Sequence, residues 1–183
     1  MTFCFWELRW KLCSALTLGC LLCSVVAQEQ ELQIQTSSLP GVDFSKYHTY
    51  RWVEVKGQHP ESTLDAQIKQ AVDSQLGAKG LTKTNDATSD LDIDYQTATS
   101  QTQEWQAYED WTDTSPGGER LPQHKMVTIN IGTLVIDMYD TAAKNRVWTG
   151  RAQKAIDVNS NQEERQKNLN NVAKQLLKGF PPK

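Results

Sequence analysis

Residues 132–156 read Gly-Thr-Leu-Val-Ile-Asp-Met-Tyr-Asp, then Thr-Ala-Ala-Lys-Asn, then Arg-Val-Trp-Thr-Gly-Arg-Ala-Gln-Lys-Ala-Ile. Leu134, Ile136 and Met138 alternate with Thr133, Val135, Asp137 and Tyr139, the period of two expected of a strand with one buried face. Past a short polar break, Trp148, Gly150 and Ala152 share one face, and Val147, Thr149, Arg151 and Gln153 the other. Two alternating runs joined by five turn-forming residues predict an antiparallel hairpin. Trp148 brings bulk to the core, and Gly150 leaves room for a large neighbour to approach the backbone.

Upstream, Met126, Thr128 and Asn130 alternate with Val127, Ile129 and Ile131 and feed a strand into Gly132. Leu91, Ile93 and Tyr95 face one way from a further strand, with Asp90, Asp92 and Asp94 opposite. That acidic repeat is not a calcium loop, because Tyr95 and Gln101 stand where an EF-hand needs Gly and Glu. The three carboxylates are read as the solvated side of the strand, compensated by Lys and Arg from its neighbours. The strand is expected to continue to about Tyr108, where Ser115-Pro-Gly-Gly118 then breaks the chain. Trp105, Tyr108 and Trp111 beside that break either bury against the far face of the sheet, the commoner fate of aromatics, or line a ligand or partner surface.

Phe44 to Val55 is rich in β-formers, with Tyr50 and Trp52 on one face. His48 at its start reads as a packed or capping side chain. Leu64, Ile68, Ala71, Val72 and Leu76 give one apolar helical stripe, capped by Ser62 or Thr63 and stopped at Lys79-Gly80. A brief strand can follow at Leu81 to Asn85. After the hairpin, Ser160 with Glu163 suggests a capping box, and Leu169, Val172, Ala173, Leu176 and Phe180 continue at helical spacing. No internal repeat is visible.

The 183 residues suit one domain plus a processed end. Arg9 and Lys11 precede an apolar run from Leu12 to Ala27, so residues 1–27 read as a secretory signal peptide cleaved before Gln28. Lipidation at Cys20, after Gly19, is the competing site, although Thr17 stands where a lipobox usually has Leu. All four cysteines lie in this segment, so the remainder carries no disulfide or thiolate chemistry. Residues 28–43 are polar and read as a tether, and 44–183 as the single domain. Without residues 1–27, 17 basic and 21 acidic side chains leave a net charge of −4. With no Lys/Arg run, nothing invites nucleic acid.

Several short motifs stand in a telling order: Tyr47-His-Thr-Tyr-Arg-Trp52, Lys79-Gly-Leu81, Asp90-Leu-Asp-Ile-Asp-Tyr95, Gly132-Thr-Leu-Val-Ile-Asp137, Asp140, Val147-Trp-Thr-Gly150 and Phe180-Pro-Pro182. Together they resemble the bacterial family catalogued as domain of unknown function 4136, whose members are mostly predicted envelope lipoproteins. The resemblance spans residues 44–182. It implies an α+β domain, an envelope location and no established activity, and it transfers no catalytic residue.

The expected fold is therefore α+β: an antiparallel sheet of about four to six strands with two helices on one face. Tyr50, Trp52, Leu91, Ile93, Leu134, Ile136, Trp148 and Gly150 would form the core of the sheet face, with Ile68, Val72, Leu76, Val172 and Leu176 from the helices. The expected function is a non-catalytic envelope module binding a protein, lipid or glycan, with no cofactor and no metal. Its membrane contact would run only through an N-terminal lipid anchor. The alternative is a hydrolase of envelope glycans pairing Asp92 or Asp94 with Asp137, but no nucleophile elbow, zincin helix or phosphate loop accompanies them. His48, His59 and His124 form no metal spacing.

Overall fold

The computed structural model describes residues 32–53, 62–109 and 122–182. The proposed signal peptide, Cys20, His59 and Trp111 lie outside them. Two long strands, β4 (Leu91–Glu109) and β5 (Pro122–Asp140), pair antiparallel along their whole lengths. The hairpin partner β6 (Asn145–Ile156) pairs with β5 from Asp140↔Asn145 to Asn130↔Ile156. Its turn is closed by Asp140, whose carboxylate accepts from the backbone N–H groups of Ala142 and Ala143, both at 2.9 Å. The same carboxylate accepts from Lys46 Nζ at 2.8 Å and Tyr47 Oη at 2.9 Å.

A bulge between Met138 and Tyr139 breaks the strict alternation. Trp148 pairs with Met138 and Arg146 with Tyr139, so Val147 has no partner across the strand and is buried instead of facing outward.

The sheet is mixed rather than purely antiparallel. Its order is β1-β6-β5-β4-β2-β3, with β2 (Thr49–Trp52) parallel to both β4 and β3 (Thr82–Lys83). The reason is the connection: α1 (Ser62–Ala78) carries the chain from β2 back to the same end of the sheet before β3 begins. Because α1 already includes Ser62, that residue is not its cap. Gly80, at φ +87°, allows the turn out of α1 that lets the Leu81 N–H reach Leu76 O at 3.1 Å.

The tether reading of residues 28–43 is corrected over most of its described part. Gln33–Ser38 forms β1, an edge strand antiparallel to β6. Its polar side chains suit an edge, while Ile34 opposite Ala152 packs against the core. Phe44–Lys46 is a single 3-10 turn capped by Asp43, so the strand there starts only at Thr49. His48 is exposed, and its backbone N–H donates to Asp90 at 2.9 Å.

Both helices cover one face of the sheet. α2 (Gln162–Leu176) starts from Asn161, not Ser160. The Asn161 side chain accepts from Glu164 N at 2.9 Å and Glu164 answers to Asn161 N, while Ser160 closes the preceding turn onto Asp157 O. Tyr50, Leu91, Ile93, Leu134, Ile136 and Trp148 are buried with Ile68, Val72, Leu76 and Leu176 in one cluster. Trp52 and Val172 are only half-buried. The indole N–H of Trp52 needs an acceptor and finds Asp73 Oδ1 at 2.8 Å on α1, which holds the ring at the margin of the core. Tyr50 Oη reaches the same oxygen at 2.7 Å, and burial raises its phenol pKa first, with Asp73 adding to it.

Candidate functional site: a cleft at one end of the core

Side-chain bulk on the helix-facing side falls away along three adjacent strands. β4 presents Leu91, Ile93 and Tyr95, then Thr97 and Thr99; β5 presents Met138 and Ile136, then Leu134 and Gly132; β6 presents Trp148, then Gly150, Ala152 and Lys154. Cross-strand register sets these positions in rows, Thr97–Leu134–Ala152 and Thr99–Gly132–Lys154, so that Thr97, Ala152, Thr99 and Gly132 leave space side by side. Leu64 and Ile68 of α1 and Leu169 and Val172 of α2 do not fill the space above those rows. A cleft of about 330 Å³ remains, open to solvent and lined mostly by apolar atoms.

The rim combines two features. Ile156 and Val158, at 40% and 62% exposure, present apolar surface there. A Cβ on Gly132 would lie 2.9 Å from Ile156 Cγ2, so glycine is what lets Ile156 fold across the sheet at this point. The charged lining is Lys154, Arg165 and Asp157. Asp157 Oδ1 is occupied by Asn159 N at 2.8 Å, and one guanidinium N–H of Arg165 donates to Ser160 O at 3.0 Å. The Lys154 side chain makes no hydrogen bond or ion pair among the described residues. None of these three residues was singled out from sequence. The signal was present for Lys154, which stands in register with Trp148, Gly150 and Ala152, a cation where the alternation calls for a core residue.

The acidic residues are on the other face. Asp94 and Asp137 are direct cross-strand neighbours, and Asp92 pairs with Tyr139. They are not simply a solvated side: Asp94 and Asp137 are only 2% and 6% exposed. Neighbouring side chains cover them. Arg146 reaches Asp137 at 3.3 Å, and Tyr139 stands close enough that, after burial itself, the charges of Asp137 and Asp94 help raise its phenol pKa. Arg51 grips Asp92 with Nε and Nη2 at 2.5 and 3.1 Å, and that contact holds the Asp92 carboxyl below its usual range. No group of three His, Cys, Asp or Glu side chains among the described residues is arranged to hold a metal.

The aromatics beyond the core are not buried. Trp105 and Tyr108 are 67% and 41% exposed on the part of the β4–β5 ribbon that extends past the pairing of β2 and β6. They do not form one surface, because Trp105 shares a face with its partner Met126 and with the cleft, whereas Tyr108 points to the opposite face. Lys125 Nζ lies 5.7 Å from the Tyr108 ring centre.

Residues 34–182 match the family model described as "Domain of unknown function (DUF4136)". No curated protein matches. Among solved structures, the chain is similar to a PDZ domain protein from Parabacteroides distasonis at 15% identity and a TM-score of 0.55. That likeness covers 85% of this chain and 38% of that one, and it is a likeness of fold. The PelC dodecamer from Paraburkholderia phytofirmans is similar at 10% identity over 80% of this chain and 95% of that one, with a TM-score of 0.49.

Proposed function

This chain belongs to the family of the domain of unknown function DUF4136, and we propose that it works as a non-catalytic binding module of the bacterial cell envelope. The observation that carries the reading is the cleft. A concave, mostly apolar recess of a few hundred Å³ with a few polar groups at its edge is the usual form of a small-ligand site. The carboxylates considered for hydrolysis, Asp92, Asp94 and Asp137, lie on the far side of the sheet from it. A ligand in the cleft would not meet those three carboxylates.

A neutral apolar fluorophore, N-phenyl-1-naphthylamine, tests the cleft directly. The wild-type chain should bind it with enhanced emission. Thr99→Trp, on an exposed strand position opposite Gly132, should lay a ring across the opening and weaken binding roughly tenfold, since a blocked pocket loses most of its apolar contact. Unchanged binding by a variant with the wild-type melting temperature would remove the cleft as the site.

The envelope assignment rests on Arg9 and Lys11 ahead of the apolar run Leu12 to Ala27. The intact mass of the protein isolated from its own cells, with membrane fractionation, should begin at an acylated Cys20 or at Gln28. A chain still beginning at Met1 in the cytoplasmic fraction would overturn export.

A further inference from the structure

We infer that the cleft takes a single-chain anionic amphiphile, a fatty-acid-type carboxylate, with its hydrocarbon chain against the sheet and helices and its head group at Lys154 and Arg165. The inference rests on the binding-module reading and adds the chemical class of the ligand. Three observations lead to it.

The first is the shape of the apolar surface. Leu64, Ile68, Leu134, Leu169 and Val172 line one recess between the layers, and Ile156 and Val158 carry apolar surface out to its mouth. That suits a flexible hydrocarbon tail. It gives little to a glycan, whose hydroxyls would need many hydrogen-bonding partners on leaving water.

The second is the charge at the mouth. Lys154 is half-buried on the helix-facing side of the sheet and has no carboxylate partner among the described residues. Arg165 spends one N–H on Ser160 O, and the fork has other donors for a second oxygen ligand. Asp157, the one acid in the lining, is engaged by Asn159 N. The balance favours a monoanion over a neutral or cationic head.

The third is the contrast with the rest of the sheet. Arg51 and Arg146 on the far face each meet an aspartate. Lys154 is more buried than Arg146 and yet has no carboxylate partner among the described residues.

Calorimetric titration of the full chain, stripped of lipid, with decanoate and with decan-1-ol separates the parts of the argument. Decanoate should bind one per chain and roughly tenfold tighter than the alcohol, the scale of a charge-assisted contact. In Lys154→Gln/Arg165→Gln the two probes should come within about threefold, with the alcohol unaffected, because only the head-group contact is removed. Equal affinity of both probes for the wild type would overturn the anionic class while leaving an apolar binding module in place. Decanoate binding that survives Thr99→Trp unchanged would put the ligand elsewhere and overturn the assignment. Failure of both probes to bind would overturn the inference together with the reading beneath it.

Discussion

Replacing Trp148 by alanine is expected to destabilise the domain by ~3–5 kcal/mol, a large part of the ~5–15 kcal/mol that holds an ordinary domain together. The ring is buried where strand, helix and C-terminal turn meet, edge-on to Phe180 at 5.5 Å between centroids. It also covers Gly150, where a Cβ would collide with the Trp148 ring and come within 2.9 Å of Leu176 Cδ1. Sheet, indole and α2 are thus fitted to one another through a missing side chain. Truncation leaves a cavity with a glycine at its floor, and no nearby side chain on that strand can swing in to fill it. Thermal unfolding should show the midpoint falling by on the order of 10 °C or more, or no cooperative transition at all. Trp148→Phe should lose much less, because it keeps an aromatic edge for Phe180. A Trp148→Ala protein that melts with the wild type would show that this contact does not hold the layers together.

Asp140→Ala should be the most damaging loss of a polar side chain. One carboxylate serves the hairpin turn through Ala142 and Ala143 and anchors the Phe44–Lys46 turn through Lys46 and Tyr47. Removing it strands two backbone donors and a buried phenol, a penalty of ~2–4 kcal/mol by the usual cost of unmade bonds to a charged acceptor. The Lys46 ammonium, the Ala143 N–H and the Tyr47 hydroxyl together hold the Asp140 carboxyl well below the usual carboxylate range. A folded-state pKa below the unfolded one makes the sign definite: the contribution is complete above the unfolded value of ~4, declines as the pH falls below it and is gone only below the folded-state pKa. Denaturant melts of wild type and variant between neutral pH and pH 3 should therefore draw closer as the acid is added, without meeting by pH 3. A gap of constant size across that range would show that the aspartate acts through packing and not through its charge.

These two residues were not equally legible in the sequence. Trp148 belongs to a strand whose alternation with Gly150 and Ala152 names its buried face, and Leu134, Ile136, Leu91 and Ile93 are read the same way. Asp140 sits on the helix-facing side opposite Leu91, and no periodicity announces that a carboxylate there will be claimed by four donors from two directions. Strand β1 was illegible for a different reason. Gln33–Ser38 has the composition of a tether because an edge strand exposes most of its side chains, and only Ile34 hints at an inward face. The parallel pairing of β2 was hidden because side-chain alternation is the same whichever way a strand runs. The reading of Asp94 as solvated fails because its surroundings include Asp137 and Tyr139 from the adjacent strand β5, and Arg146, which reaches Asp137, comes from β6. The cleft is an absence of bulk shared among β4, β5, β6 and two helices, so no single segment could reveal it.

The pairing of β1 with β6 also orders events in time. Gln33 finds its partner at Gln153, close to the opposite end of the chain, and Thr49–Trp52 needs β4 before it has a neighbour on the long strands. Contacts so far apart in sequence close late, after the local β5–β6 hairpin has had the chance to form. A chain delivered from its N-terminus must therefore present its first strand before the edge that receives it exists. The polar, weakly apolar character of Gln33–Ser38 is then an asset, because a strand that waits in water is less prone to pair with the wrong edge.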